Sequence, residues 1–362
     1  MDTQLIVTSE ALAAAIAEWE RAPWLAVDTE FQREDTYHAK LCLVQIGVPG
    51  RAWIVDALAV PELAPLWALL HRPEILKVLH AAGQDLEIFV QLSGDCPRPV
   101  FDTQLASALL GHGEQLGYAA LVERFLGIKV DKSLARTDWT RRPLAPAALA
   151  YAAADVEHLA EIYPRLRAEL EARGRLAWLE EDAALACDPA RYRTDPEQVW
   201  QRVKGLSRLP AKARGAVLRL ARWREHEAMA RNRPRRWILD DEPLCALAVA
   251  APADAEALAR VPGLPPKFLQ KHAAKMLELA RDDGAPPPAL DFGEPLEGEQ
   301  KAKFKAVQNA LRDIAAREQV VPTLIANRDD LETLVREGAA AQIPLLRGWR
   351  RGLAGEALLK LG

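Results

Sequence analysis

The sequence is short of cysteine, of aromatic residues and of long apolar runs, and each shortage removes a class of function. Only 4 cysteines occur, at positions 42, 96, 187 and 245, and aromatics make up 6% of the chain. No two cysteines form a Cys-x-x-Cys pair and no histidine cluster lies near them, which argues against a zinc site or a disulfide framework. They read as small apolar core residues of a reducing compartment. No apolar run approaches the roughly 20 residues that span a bilayer. Met1-Asp2-Thr3-Gln4 lacks the basic start and apolar core of a signal peptide. The expectation is a cytoplasmic protein without membrane contact. A nucleotide loop is missing as well. Gly111-His112-Gly113 lacks the full G-x-G-x-x-G pattern and a preceding strand, so it reads as a turn, and no organic cofactor is expected.

What is present fits a soluble globular chain. The 362 residues are 50% hydrophobic and 27% charged, enough for two or three domains. The net charge of −4 hides an asymmetry. Residues 1–190 carry 17 basic and 28 acidic side chains, residues 191–281 carry 19 and 10, and residues 282–362 carry 11 and 13. An acidic body with a basic middle suits a chain that holds cations in one place and polyanions in another; chance drift of composition is the alternative.

The first half alternates strand-like and helix-like segments. Strands are expected at Leu25–Phe31, Lys40–Gly47, Ala52–Asp56, Ile75–His80 and Pro99–Asp102, with helices at about 61–70, after Gly83 and from Thr103 onward. Strands in close succession and then alternating with helices argue for a mixed sheet covered by helices. The pattern breaks between Cys187-Asp188-Pro189 and Asp195-Pro196, a domain boundary. From Gln198 the chain reads as helical and basic. Asp282-Asp283-Gly284-Ala285-Pro286-Pro287-Pro288 is a linker, because consecutive prolines cannot continue a helix. A last helical unit follows from about Gly298.

Several carboxylates stand out. Asp28 and Glu30 lie two apart on a predicted strand and so share a face. Two like charges at about 4 Å repel by roughly 4 kcal/mol at an effective dielectric near 20, so a cation must offset them. Salt bridges to Arg33 or Lys40, or a solvated strand end, are the alternatives. Tyr151 and Asp155 lie four apart, one turn along a helix face kept clear by three alanines; a core tyrosine and a surface aspartate would have the same spacing. Asp85 sits near a helix start, where the helix dipole alone favours an acid. Asp102 reads as a helix N-cap.

Taken together, Asp28-Thr29-Glu30, Asp85 and Tyr151-x-x-x-Asp155 resemble the three motifs of the DEDD exonuclease superfamily, tyrosine subclass, in order and context. His80-Ala81-Ala82-Gly83 ahead of Asp85, Lys132 through Trp139, and Arg142-Pro143-Leu144 resemble the ribonuclease D family. Ala221 through Glu225, Arg231 through Arg236 and Ala259 through Leu264 resemble the HRDC domain, a helical nucleic-acid-binding module. The match covers roughly residues 1–285, and the last unit resembles a second HRDC-like domain only loosely.

The resemblance implies an α/β ribonuclease H-like exonuclease domain over 1–190, a mixed sheet flanked by helices. Two small all-α HRDC-type domains would follow, over 198–283 and 295–362. It implies a monomeric 3′→5′ exoribonuclease that trims precursor tRNAs and other small structured RNAs. Two divalent ions, Mg²⁺ or Mn²⁺, would be held by Asp28, Glu30, Asp85 and Asp155, with Tyr151 orienting the attacking water. All-carboxylate ligands suit such hard ions. Lys132, Arg136 and Arg142 are candidate phosphate contacts; ion pairs to Asp131, Asp138 or a helix end are their alternative. Arg222, Arg233, Arg235 and Arg236 are further RNA-binding candidates, in a run from Arg202 to Arg236 with 12 basic and 2 acidic side chains. Trp200, Trp223 and Trp237 in or beside that run read as core residues rather than base platforms. A DNA exonuclease and a silent RNA-binding protein on the same scaffold are the rival readings. The second of these usually lacks a metal carboxylate, and this chain keeps all four.

Overall fold

The early alternation of apolar segments becomes one six-stranded sheet. Its strands are β1 (Asp2–Ile6), β2 (Trp24–Gln32), β3 (Lys40–Val48), β4 (Arg51–Asp56), β5 (Leu76–Leu79) and β6 (Val100–Asp102), in the order β1-β4-β3-β2-β5-β6. β1 and β4, β2 and β5, and β5 and β6 pair parallel, whereas β3 and β4 pair antiparallel, so the sheet is mixed. The structure is a computed structural model that describes residues 2–131, 133–134, 137–281 and 295–361. β1 was not among the expected strands. Four of its five residues are exposed on an edge strand, so its sequence carries no apolar alternation to read.

Helices α1 (Ser9–Trp19), α2 (Ala64–Leu70), α3 (Gly83–Ser93), α4 (Thr103–Leu109), α5 (Tyr118–Leu126), α6 (Pro146–Ala172) and α7 (Leu176–Ala186) accompany the sheet. Local sequence explains their starts. The Thr8 hydroxyl accepts the Ala11 N–H at 3.2 Å to cap α1. α6 opens on Pro146, whose missing N–H would have had no helical partner there.

The chain forms two compact units. Among the described residues, the first takes 2–32, 41–192 and 295–361, and the second takes 33–40 and 193–281. The first unit therefore holds the six-stranded sheet together with the C-terminal helices α13 (Gly298–Arg317), α14 (Pro322–Ile325) and α15 (Arg328–Glu337). Val307, Leu311, Leu334 and Leu345 are buried in the same core as Phe101, Leu109, Leu121 and Leu166. Trp178 of α7 stacks on Trp349 with centroids 4.5 Å apart. Arg350 is clasped by Asp182, and Arg175 donates to the Glu318 carbonyl at 2.7 Å. A Cβ at Gly111 would meet the Gln319 carbonyl oxygen at 2.2 Å, so the turn read at Gly111–Gly113 is also a close backbone approach. In sequence, residues 295–362 read as a domain of their own. Its helices are present, but their apolar faces close on α4 and α7, which helical spacing alone cannot reveal.

Over 193–281 the secondary structure of the second unit is helical. Three 3₁₀ turns (Val199–Arg202, Leu206–Arg208, Ala211–Ala213) precede α8 (Arg214–Arg231), α9 (Arg235–Ile238), α10 (Asp241–Ala250), α11 (Ala255–Ala259) and α12 (Pro266–Ala280). Trp200, Val217, Leu220, Leu244, Leu247 and Met276 form a core of its own. Residues 33–40 belong here although they lie in sequence between β2 and β3. Asn232 ends α8 at φ 46°, and its Oδ1 accepts the Tyr37 and His38 N–H groups at 3.1 and 3.0 Å. The Tyr37 hydroxyl donates to the buried Glu225 carboxylate. The linker read at Asp282–Pro288 lies outside the described residues. Among the described residues no helix is long and apolar enough to cross a membrane.

Candidate active site

The first unit concentrates carboxylates on an interior strand. β2 runs between β3 and β5, and Asp28 and Glu30, two apart, share one of its faces. α6 brings Asp155 to that face. Its approach depends on small residues: Ala152 and Ala153 are buried, and a Cβ at Gly47 of β3 would meet Val156 Cβ at 2.8 Å. One carboxylate oxygen each from Asp28, Glu30 and Asp155 lie within 4.8 Å of one another. Asp85, in the first turn of α3, is buried and accepts the Thr29 hydroxyl proton. Asp28, Glu30, Asp155, Tyr151, Tyr118 and His80 line a cavity of about 190 Å³.

This crowding has an electrostatic signature. Burial, and then repulsion from Asp155 and Asp85, pushes Glu30 up to about 8. Burial pushes Asp85 and Asp155 up to about 7 each. Asp28 is raised well above the usual carboxylate range by burial, then by Asp85, Asp155 and Glu30. Among the described residues, no lysine or arginine is among the groups that produce these shifts. A cluster this acid-rich and this uncompensated is built to exchange protons for a cation. The donors are all oxygens, so the residues fit a hard divalent ion.

Two supporting residues escaped the sequence reading. Tyr118 of α5 donates to the Asp155 carbonyl at 2.8 Å and approaches the Ala154 carbonyl at 3.2 Å, holding the turn of α6 that carries Asp155. Nothing in the chain ties two residues 37 positions apart, so only folding reveals the pair. Asp102 was read as a cap and does cap α4, accepting the Gln104 N–H at 2.8 Å. It also accepts the Ala81 and Ala82 N–H groups at 3.0 Å each, and so fixes the turn that leads to Asp85. Tyr151 sits in the cavity wall with its ring 6.2 Å from Trp139. Burial, then Asp155, Glu30 and Asp28, raise its phenol above the ordinary range, so it stays protonated at neutral pH.

The candidate phosphate contacts fare differently. Arg142 is engaged within the protein. Its Nε and Nη2 donate to Asp56 at 2.6 and 2.7 Å, its Nη1 to the Trp139 and Arg141 carbonyls at 2.7 Å each, and its Nη2 also to the Cys42 carbonyl at 3.3 Å. All five donors of the guanidinium are used inside the protein, and the partner is Asp56, not Asp131 or Asp138. Lys132 and Arg136 lie outside the described residues. In the second unit, Arg222 pairs with Glu197 at 2.9 Å, Arg233 with Asp35 at 2.7 Å, Arg235 with Glu225 at 3.1 Å and Arg236 with Asp240 at 2.9 Å. The run that looked unbalanced in sequence is thus locally neutralised, partly by Asp35 from far upstream. Trp200 is a core residue as read, but Trp237 is 64% exposed.

Fold and pocket together define a nuclease of the 3′–5′ exonuclease class, and the 3′-5′ exonuclease family model matches residues 3–171. The HRDC domain model matches residues 214–279. The chain is 41% identical to ribonuclease D of Gluconacetobacter diazotrophicus over 99% of its own length and 93% of that protein's. It is 37% identical to ribonuclease D of Pseudomonas paraeruginosa, covering 99% and 97%. The crystal structure of Escherichia coli RNase D, described as an exoribonuclease involved in structured RNA processing, superposes with a TM-score of 0.87 at 30% identity, covering 100% and 98% of the two chains. The chain belongs to the ribonuclease D family, and it is a 3′→5′ exoribonuclease.

Proposed function

We propose that Asp28, Glu30, Asp85 and Asp155 hold two divalent ions, Mg²⁺ or Mn²⁺, and that Tyr151 completes the catalytic group. The observation that carries this reading is the convergence of three carboxylates within 4.8 Å, with no positive partner among the described residues. Bound there, such ions lower the pKa of a water and offset charge on the leaving 3′ oxygen. The protein's own groups do the rest. Asp28, Glu30 and Asp155 supply converging oxygens from one strand and one helix, and Asp85, held by the Thr29 hydroxyl, adds a fourth carboxylate close enough to act on Asp28. Tyr151, kept protonated, is suited to orienting the attacking water rather than to removing its proton. Tyr118 holds the helix turn beneath Asp155.

The natural substrates in this reading are precursor tRNAs and other small structured RNAs, shortened one nucleotide at a time as 5′-monophosphates by a monomeric, cytoplasmic enzyme. The module at 198–283 engages the RNA. The helices of 295–362 are a second HRDC-like element, of similar size and helix content, absorbed into the catalytic core.

The test is a 5′-labelled tRNA precursor with an extended 3′ tail, incubated with Mg²⁺, with Mn²⁺ or with chelator, beside a DNA of matched sequence. Stepwise shortening of the RNA from its 3′ end, with metal only, is expected. Internal cuts, or equal trimming in chelator, would overturn the metal-site reading. Preferential trimming of the DNA would overturn the RNA substrate.

A further inference from the structure

The basic run of the second unit divides into two halves that differ in what meets their charge. From Arg222 onward, arginine after arginine faces an acid. Arg222 takes Glu197, Arg224 takes Asp241, Arg231 takes Glu227, Arg233 takes Asp35, Arg235 takes Glu225 and Arg236 takes Asp240. Upstream the situation reverses. Between Gln198 and Arg224 the sequence has no acidic residue at all. Val199, Trp200, Val203, Leu206 and Ala213 of the 3₁₀ turns are buried in the unit's core. The residues between them are turned outward, so Arg202, Lys204, Arg208 and Lys212 are exposed. Among the described residues none of these four side chains has an ion-pair partner. Asp241, which accepts the Lys204 backbone N–H at 3.4 Å, is itself held by Arg224. The segment ends at the start of α8, an 18-residue helix with no side-chain cap and no acid in its first turn, so its positive end is unopposed as well.

We propose that the 202–212 segment, with the adjoining start of α8, is the surface on which this unit binds the phosphate backbone of substrate RNA. The arginines from 222 to 236 serve its architecture. The inference rests on RNA being the substrate. A cation already paired with a carboxylate has little net charge to offer a polyanion, and releasing it means breaking the pair. An unpaired exposed cation neutralises a phosphate and releases its counterion, which makes binding salt-dependent and tolerant of sequence. Four such groups lie exposed over a short stretch of chain in which Val203, Leu206 and Ala213 are buried, and spaced single charges suit a phosphate backbone rather than a base or a small anion.

The experiment compares two variants that remove the same charge. One is Arg202→Gln/Lys204→Gln/Arg208→Gln/Lys212→Gln; the other is Arg222→Gln/Arg231→Gln/Arg233→Gln/Arg236→Gln. Binding of a fluorescent 20-nucleotide RNA is followed in chelator, so that no hydrolysis occurs, over a range of salt. Each lost phosphate contact should lower the slope of log affinity against log salt by about 0.7, so the first variant should lose roughly 2–3 of slope and at least about tenfold in affinity at 0.1 M salt. The second should keep the slope of the parent. Equal losses in both variants, or an unchanged slope in the first, would overturn the assignment. Melting curves check that both variants fold. Should the first not fold, Lys204→Glu and Arg208→Glu tested singly carry the same prediction, each lowering the slope, and an unchanged slope in both overturns it. If wild-type enzyme trims RNA while the slope stays put, the substrate reading stands and this surface falls.

Discussion

The two units both concentrate charge of one sign, and they treat it in opposite ways. In the first, Asp28, Glu30, Asp85 and Asp155 are crowded together with no cation among the described residues to answer them, and their affinity for protons rises. In the second, the most conspicuous arginines are each matched by a carboxylate. A density of charge is therefore a poor guide to a site. What marks a site is charge that the fold brings together and then leaves unanswered, because burying or crowding it raises the free energy unless a ligand completes it. Within the first unit Arg142 and Asp56 make the same point. They are charged and largely buried, yet each satisfies the other.

That contrast can be broken experimentally, beginning where the effect is largest. Asp155→Asn removes one uncompensated charge. Loss of several kcal/mol of transition-state stabilisation should cut RNA trimming by roughly 10³-fold or more. The same variant should melt higher than wild type at pH 8 in chelator, since one source of repulsion is gone. Lower activity together with lower stability would mean that Asp155 is structural. Arg142→Met should act in the opposite sense. It strands the Asp56 carboxylate, and unfolding in urea should report a loss of about 3–5 kcal/mol. A variant that unfolds like wild type but binds RNA more weakly would restore Arg142 as a phosphate contact.

The pH dependence of the metal-free protein sharpens the comparison further. Glu30 at about 8, and Asp85 and Asp155 at about 7, hold protons in the folded state that the unfolded chain releases near pH 4. Stability from these groups is fully present below about pH 4 and is lost as pH rises through about 7–8. The melting temperature in chelator should therefore fall over that window, and Mg²⁺ or Mn²⁺ should raise it most at the alkaline end. A metal effect independent of pH would refute the exchange of protons for a cation. The smallest effect belongs to Arg236→Gln. Its partner Asp240 is 45% exposed, so solvent screens the pair and the variant's melting curve should overlay that of the parent.

Much of the site was legible in the chain because its motifs are local. Asp28-Thr29-Glu30 needs only a strand to put two carboxylates on one face, and Tyr151 to Asp155 needs only one turn of helix. What joins these pieces is not local. Gly47 admits α6 to the sheet, Tyr118 reaches across to Asp155, and Asp102 reaches back to Ala81 and Ala82. Each depends on segments distant in sequence, and no periodicity encodes such a meeting. β1 was missed for a related reason, since an exposed edge strand lacks the alternation that betrays a buried one.

By itself, then, the sequence determined which elements form and which of them carry acid. Helix and strand periods, caps and breakers act over a few residues, and those interactions are written in the order of the chain. The tertiary structure decided which charges remain unpaired. It gave Arg142 to Asp56, Arg233 to Asp35 and Arg235 to Glu225, and among the described residues gave no cation to the four carboxylates. It also closed the C-terminal helices onto the catalytic core instead of leaving them a domain of their own. Pairing and burial are properties of neighbours in space, and a chain acquires those only on folding.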